Sequence, residues 1–587
     1  MRSILSTFNL FLHHTYRYLL VAALLLSATG AAVPVYGQGD QPDAVDSQST
    51  VARVREWGNV LVVGVKQDFK PFGFLDENGE LAGFDIDLVR AMADLWEVEI
   101  ELVPVTSANR IEKLMAGEVD LVAASMTHTR PRDADIDFSQ TYFLDGQSVL
   151  VRQESNITEL AGLANGEVGA VEGSTSIEQI RQYADQENVP LTVVPFPTYA
   201  DAQAALDARE IDALTTDRAF LLQTALDNPQ FTVIGPRFTQ EPYGMGVRSG
   251  DSTFRNLVDL ALQQVARDGV YDTIYNTWFP GETPYQLQQL PGTWPYTFAT
   301  APDTWTPPSI TRMAQIVQQR QLVVGVNYDL PPFGFLDESG KLNGFDVDLA
   351  REFARRWLGN PEAVELVRVT ADSRIPVLAG GDVDLLIASL TQRQEWDAAI
   401  DFSQSYFLDD LALLVTTESG AATLADLDGR RVGAVSGTTA MTTLQELVDT
   451  QELAIDVFPF QEHVAALGAL EAGLVDAVMA NGMALDDYAT DNPGYQVLRG
   501  PGIGEFLPPG VTTETPYAIG LANFDAGFRD LVNFTLQEMA LDGAYDAIYA
   551  KWFGDVTTGV SGEAVADAFA IELWPGSSPR SSSIRLN

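Results

Sequence analysis

The chain repeats itself, and this constrains its fold more than any other feature. Val62-Val-Gly-Val65 recurs as Val323-Val-Gly-Val326, and Pro71-Phe-Gly-Phe-Leu-Asp76 as Pro332-Phe-Gly-Phe-Leu-Asp337. Gly83-Phe-Asp-Ile-Asp-Leu88 recurs as Gly344-Phe-Asp-Val-Asp-Leu349, and all three pairs lie 261 residues apart. From Ile136-Asp-Phe-Ser139 and Ile400-Asp-Phe-Ser403 onward the offset is 264, which places a three-residue insertion near Gly359-Asn-Pro361. Trp278-Phe and Trp552-Phe are 274 apart, so ten more residues enter between Arg499 and Thr515. Insertions confined to Gly/Pro-rich loops are the mark of a duplicated globular domain. The units are predicted at 53–281 and 312–555. A Pro/Trp-rich linker at 282–311 joins them, and a tail at 556–587 follows. Trp294-Pro and Trp574-Pro come at similar distances after their units, which predicts an arm packed on each unit's own surface.

Composition narrows the function. Lys+Arg is 35 against Asp+Glu 81, a formal charge of −46 on 587 residues. So acidic a surface repels nucleic-acid phosphates and anionic lipid. Cysteine is absent, which removes disulfides, thiolate metal sites and the lipidated cysteine of many exported proteins. Outside the first 20 residues only His128 and His463 remain. Neither has a second His at helical or strand spacing, so both are expected as surface or loop residues, and no metal or other cofactor is expected.

Arg2 and Arg17, the apolar run Tyr18–Leu26 and the small residues Ser27–Ala32 have the order of a secretory signal. Residues 1–37 are assigned to it, with cleavage between Gly30 and Gly37, and 38–52 to a flexible leader. An uncleaved anchor is the alternative. The mature chain is expected outside the cytoplasmic membrane, periplasmic or extracellular, not lipidated and monomeric.

Each unit reads as α/β. Leu61-Val-Val-Gly-Val65 is a buried-strand run, and Asp76-Glu-Asn-Gly79 a turn. Gly83 opens a helix with Asp85 and Asp87 in its first turn, where carboxylates suit the helix dipole. Phe84, Leu88, Met92 and Leu95 are expected on one buried face. Alternating strands and helices predict mainly parallel sheets with the ligand site at strand C-termini.

The ordered set Val-Val-Gly-Val, Pro-Phe-Gly-Phe, Gly-Phe-Asp-x-Asp-Leu, Ile-Asp-Phe-Ser, Gly-Ala-Val and Asp-Gly-x-Tyr-Asp-x-Ile-Tyr-x-x-Trp-Phe (Asp268–Phe279; Asp542–Phe553) resembles the bacterial extracellular solute-binding proteins of family 3, the polar amino-acid receptors of ABC importers. The resemblance implies two tandem periplasmic-binding-protein clamshells of type II, each of two α/β lobes. The second lobes are expected at about 147–237 and 411–509. In the first unit the chain should cross between lobes near Leu144–Ser148 and Pro236–Gly244.

It also implies a site. An amino acid needs a cation for its carboxylate, and Arg offers a planar fork for two charge-assisted bonds. Family matching places that cation at Arg132 and the ammonium partner at Asp217. Ser125 and Thr127 should serve the region of the α-carbon, Thr175 should cap the carboxylate from the second lobe, and Phe69 should form the aromatic wall. Lys66 and Arg110 stand where members taking acidic ligands carry cations, which points to glutamate, aspartate or another polar amino acid.

The second unit departs at these places. Trp396 stands for Arg132, Asn481 for Asp217, Leu330 for Phe69 and Asn327 for Lys66, while Arg374, Ser389, Thr391 and Thr438 remain. Arg393 and Asp486 are the nearest substitutes for the missing charges. This cleft is expected to bind something else or nothing.

The leading function is a binding protein that captures a polar amino acid in unit one and presents it to the permease of an ABC importer. One alternative is a sensor acting through a separate membrane partner. Another is a dehydratase-type enzyme on the same fold, for which Glu172 is the acidic candidate beside the cleft. The expectation is a binding protein, not an enzyme.

Overall fold

The computed structural model describes residues 49–292, 295–302, 311–500, 513–554 and 571–574. They belong to one compact unit, Ser47–Asn587. The expected export signal, most of the expected leader, Trp294 and most of the tail lie outside the described residues. No helix among the described residues is long and apolar enough to cross a membrane.

A described helix begins within the expected leader. Ser49 Oγ caps the helix Thr50–Glu56 by accepting the Ala52 N–H, and Thr50 and Val51 are buried. A hydroxyl at this position satisfies an end-of-helix donor, which fixes the start.

The first repeat holds two five-stranded sheets. In the first lobe the order is Glu99–Pro104, Val60–Val65, Leu121–Ala123, Gly246–Arg248, Ile136–Phe138. The first three are parallel, and Gly246–Arg248 runs antiparallel to both neighbours. In the second lobe Gln147–Arg152 is the antiparallel strand in an otherwise parallel core of Thr192–Phe196, Glu167–Val171 and Ala213–Asp217, with Phe231–Ile234 at the edge. Two strands join the lobes, Phe143–Asp145 and Glu241–Tyr243, paired antiparallel. The second repeat follows the same plan, with one long strand, Asp401–Thr416, running through both of its sheets.

The repeated motifs are structural anchors. Asp85 does more than face a helix dipole. It is fully buried and accepts the Tyr142 hydroxyl at 2.8 Å and the Ser125 N–H at 2.8 Å. Asp346 accepts Tyr406 and Ser389 at the same distances. Asp87 and Asp348 each accept the indole N–H of the closing Trp-Phe pair, Trp278 at 2.9 Å and Trp552 at 2.8 Å. Gly83 has φ 137°, and a Cβ there would lie 2.1 Å from the Phe72 carbonyl oxygen. Only glycine fits. Leu95, expected on the buried face, is exposed in the helix's final turn.

The repeats meet through equivalent surfaces. Arg255 pairs with Asp401 at 2.8 Å, and its counterpart Arg529 pairs with Asp137 at 3.1 Å. Ser252 Oγ also donates to Asp401. Asp137, of the repeated Ile-Asp-Phe-Ser motif, is therefore part of a contact between repeats. One patch used twice in reciprocal fashion is an isologous interface.

The arms cross. Gln394 of the second repeat donates through its main-chain N–H to Pro291 O (3.0 Å) and through Nε2 to Leu290 O (3.2 Å), both in the segment after the first repeat. Reciprocally, Trp574 stacks on His128 of the first repeat, ring centroids 3.7 Å apart, and touches Phe534 of its own repeat edge-on. Thr141 donates to Glu572 at 2.6 Å. The arm packs on its own repeat, as expected, through Phe534, Gln537 and Gln404, and also on the other, because the two-fold junction brings the end of one repeat beside the loop of the other. His128 is not a surface residue either. It lies between Phe138 and Trp574 with Nε2 2.8 Å from Asp133, and burial pushes its pKa down to about 3, so it is neutral.

Candidate functional site

In the first repeat the residues after the parallel strands converge between the lobes. Lys66 follows Val60–Val65, and its Nζ donates to Ser107 Oγ at 2.5 Å. The ammonium lies 5.6 Å from the Phe69 ring centroid and 5.0 Å from that of Tyr199. Phe69 of the first lobe packs on Tyr199 and Phe220 of the second, at 4.5 and 4.6 Å. These contacts carry one apolar core across both lobes. Arg110 Nη1 donates to Ala124 O at 2.7 Å.

Arg132 spans the lobes, donating to Thr127 O at 2.6 Å and Gly173 O at 3.1 Å. Asp217 ends its strand and accepts Gln147 Nε2 at 2.5 Å. Thr127 and Thr175, from opposite lobes, both donate to Oε2 of Glu241, at 2.6 and 3.0 Å. Ser125 is present, but its hydroxyl donates to Asp85, so the side chain serves the scaffold. Ser389 does the same with Asp346.

Burial dominates the electrostatics. It pushes Lys66 down to about 7 and Arg132 down to about 9, each helped by the Arg110 charge. It raises Asp217 well above the carboxylate range, with Asp145 and Glu241 adding to the rise. Glu241 is raised by burial too, against the hydrogen bonds from Thr127, Thr175 and Thr239. Three cations and two carboxylates in a dry cleft are a place where an added ionic partner interacts strongly.

The second cleft is built from the same loops with different chemistry. Arg374 remains, buried, with Nη1 3.1 Å from Ala388 O and its guanidinium 5.2 Å from the Trp396 ring centroid. Burial pushes its pKa down to about 10. Asn327 Nδ2 donates to Ala388 O at 2.9 Å, and Asn481 Nδ2 donates to the Tyr517 hydroxyl. Of the expected substitutes, Arg393 pairs with Glu395 at 2.5 Å while its guanidinium lies 5.9 Å from the Trp396 ring centroid, and Asp486 is taken up by Arg499 at 2.7 Å. Thr438 proves to be the counterpart of Ser174, since each donates to the carbonyl three residues earlier, Val435 and Val171, at 2.6 Å. Thr439 is the residue in the place of Thr175. Thr438, Thr439, Asn327, Leu330, Arg374, Ser389, Thr391 and Asn481 line one cavity together with His463, the other expected surface histidine.

Several cleft residues escape the sequence reading. Ser107, Tyr199 and Glu241 belong to the first cleft, and His463 to the second. Glu172, named as the acidic residue beside the cleft, is exposed, whereas Glu241 is fully buried there. The repeat itself marks these places: Tyr199 is replaced by His463, Phe220 by Ala484 and Glu241 by Thr515, all at or beside the clefts.

The chain resembles known proteins repeat by repeat. It is 37% identical over 264 residues to the "ABC transporter glutamine-binding protein GlnH" of Bacillus subtilis (strain 168), covering 44% of this chain and 93% of that protein. It is 38% identical over 238 residues to the "Glutamine-binding protein" of Geobacillus stearothermophilus, covering 39% and 89%. Among solved structures, an ancestral arginine-binding protein bound to glutamine is 38% identical over 38% of this chain and 99% of that one, with a TM-score of 0.36. The model of the family "Bacterial extracellular solute-binding proteins, family 3" matches residues 61–281 and again 322–555. The chain belongs to that family, as two type II clamshells in tandem.

Proposed function

We propose that the first repeat, residues 53–281, captures a polar α-amino acid between its lobes and presents it to the permease of an ABC importer. The observation that carries this reading is the placement of buried Lys66 and Arg110 and half-buried Arg132 in one cleft with buried Asp217. A zwitterion needs both signs, and Arg132 can grip a carboxylate while bridging the lobes. The relatives named above are glutamine-binding proteins, so glutamine and glutamate are the first ligands to try. Export follows the secretory pattern of residues 1–37, with the chain working outside the cytoplasmic membrane as a monomer. The second repeat, 312–555, lacks the counterparts of Arg132 and Asp217 and does not take an ordinary amino acid. A dehydratase reading finds no support in Glu172, which is exposed.

Isothermal titration of the full chain against the twenty amino acids tests the proposal. One or a few polar amino acids should bind with micromolar or tighter affinity. Silence across the whole set would end this reading.

A further inference from the structure

Three aromatic rings that fill the lobe junction of the first repeat are absent from the second. Phe69, Tyr199 and Phe220 pack on one another at 4.5 to 5.0 Å. By the register of the repeat their counterparts are Leu330, His463 and Ala484. The volume those rings would occupy is open: a cavity of about 180 Å³ lies there, walled by Leu330, Pro331, Val478, Ala484 and Leu485. It shares Asp329, Leu330 and His463 with the smaller cavity under the lobes, about 20 Å³, which reaches Arg374 and Thr439. The inner space suits a head group of a few atoms, and the outer one an apolar or planar body.

The inner end is a place for an anion. Arg374 Nε and Thr439 Oγ1 are buried donors with no partner among the described residues. Both line the inner cavity. Among the nearby carboxylates, Asp346 accepts from Ser389 and Tyr406, Asp409 from Tyr517, and Asp329, which lines both cavities, accepts the His463 N–H at 2.7 Å through one oxygen; Asp487 and Asp491 line the outer cavity, where a charged head group would be disfavoured. An α-ammonium finds no such welcome. Asn481 stands for Asp217 and Thr515 for Glu241, so an amide oxygen and a hydroxyl, both neutral, replace the two carboxyl groups of the first cleft. Burying an ammonium beside neutral groups costs several kcal/mol.

We propose that the second cleft takes an organic carboxylate without an α-ammonium, its head group on Arg374 and Thr439 and its apolar or planar body in the cavity beyond Leu330 and His463. This rests on the reading of the first cleft as the amino-acid site, because the missing groups are identified by comparison with it. The chain then carries two receptors of different ligand class on one frame.

The test uses the full chain, with phenylacetate and 4-methyl-2-oxopentanoate as probes and L-phenylalanine and L-leucine as their ammonium-bearing controls. Each probe should bind at one site, at least tenfold more tightly than its control does there. Asp217→Ala should leave probe binding within twofold. Arg374→Gln should weaken it at least tenfold while the first cleft's amino acid still binds, which also shows that the variant is folded. Leu330→Phe with Ala484→Phe, which refills the outer cavity, should weaken phenylacetate at least tenfold. Absence of probe binding at millimolar concentration overturns the proposal, as does binding that survives Arg374→Gln but is lost in Arg132→Ala. If the probes bind and no amino acid does, the first-cleft reading fails while this one stands. If one amino acid binds with unit stoichiometry and no carboxylate does, this one alone fails.

Discussion

Asp259 and Asn533 hold equivalent places in the two repeats and make the same hydrogen bond: Asp259 Oδ1 accepts the Gln140 N–H at 2.6 Å, and Asn533 Oδ1 accepts the Gln404 N–H at 2.8 Å. Only one of them titrates. Burial pushes Asp259 up to about 7, against the Gln140 hydrogen bond and the Arg255 charge. A carboxyl raised in the folded chain holds a proton that the unfolded chain releases near pH 4. Its stabilising share is therefore complete below about pH 4 and is lost as pH rises towards about 7. Asp259→Asn keeps the hydrogen bond, as the second repeat shows, and removes the charge. The variant should melt higher than the natural chain at pH 8 and lose less stability between pH 5 and pH 8. Parallel melting curves across that range would rule out a buried charge at this position.

The junction makes a second prediction. Arg255 and Asp401 are both nearly inaccessible, at 9% and 1% side-chain exposure. Removing one partner leaves a buried charge unmatched. Arg255→Ala should cost about 3–5 kcal/mol of stability by denaturant titration. Arg529→Ala should cost a similar amount by the same reasoning, because it faces Asp137 in mirror fashion. A loss under about 1 kcal/mol, the range of exposed pairs, would mean that the repeats do not rest on these pairs.

Glu241 gives a third. Its Oε2 takes hydroxyls from both lobes, Thr127 and Thr175, the two threonines expected to serve the ligand. An arriving carboxylate competes with Glu241 for these donors and is repelled by it. Glu241→Gln keeps an acceptor and drops the charge, so it should tighten amino-acid binding by roughly tenfold, about 1.4 kcal/mol. Because burial raises Glu241, its loss of charge as pH falls should favour the ligand's carboxylate, and the variant should lose that share of the pH dependence while the shares of Lys66 and Asp217 remain. Weaker binding in Glu241→Gln would recast this residue as a direct ligand partner.

The fourth concerns the charged grips. Arg132→Ala should weaken amino-acid binding by about 2–5 kcal/mol, the cost of stranding a buried carboxylate. Asp217→Ala should abolish it. The natural chain titrated with its best amino acid should show a stoichiometry near one, since the second cleft has Trp396 and Asn481 at those places. Two equal sites would contradict that difference.

Much of this was readable from residue order. The repeated Gly-Phe-Asp-x-Asp and closing Trp-Phe motifs recur because each Asp holds a partner far along the chain, Tyr142 and Trp278 in one repeat, Tyr406 and Trp552 in the other. Lys66, Arg110, Arg132 and Asp217 were nameable because the ordered motifs around them resemble the family's, and the resemblance implies a role for those positions. Glu241 was not. It lies in a connecting strand whose burial depends on both lobes closing over it, and no local periodicity records that. The crossed arms were equally hidden. A tryptophan in a small-residue-rich tail shows only that something apolar will be covered, and the covering surface is set by the two-fold junction.

The crossing has a consequence for the order in which the chain is made. Thr127–Arg132 lies against His128's partner Trp574, which follows the whole second repeat. Synthesis runs from the N-terminus, so the first clamshell is complete in sequence long before the segment that packs beside its Thr127–Arg132 loop exists. That loop takes its final surroundings only when the last arm arrives, which makes its finished form a property of the full-length chain.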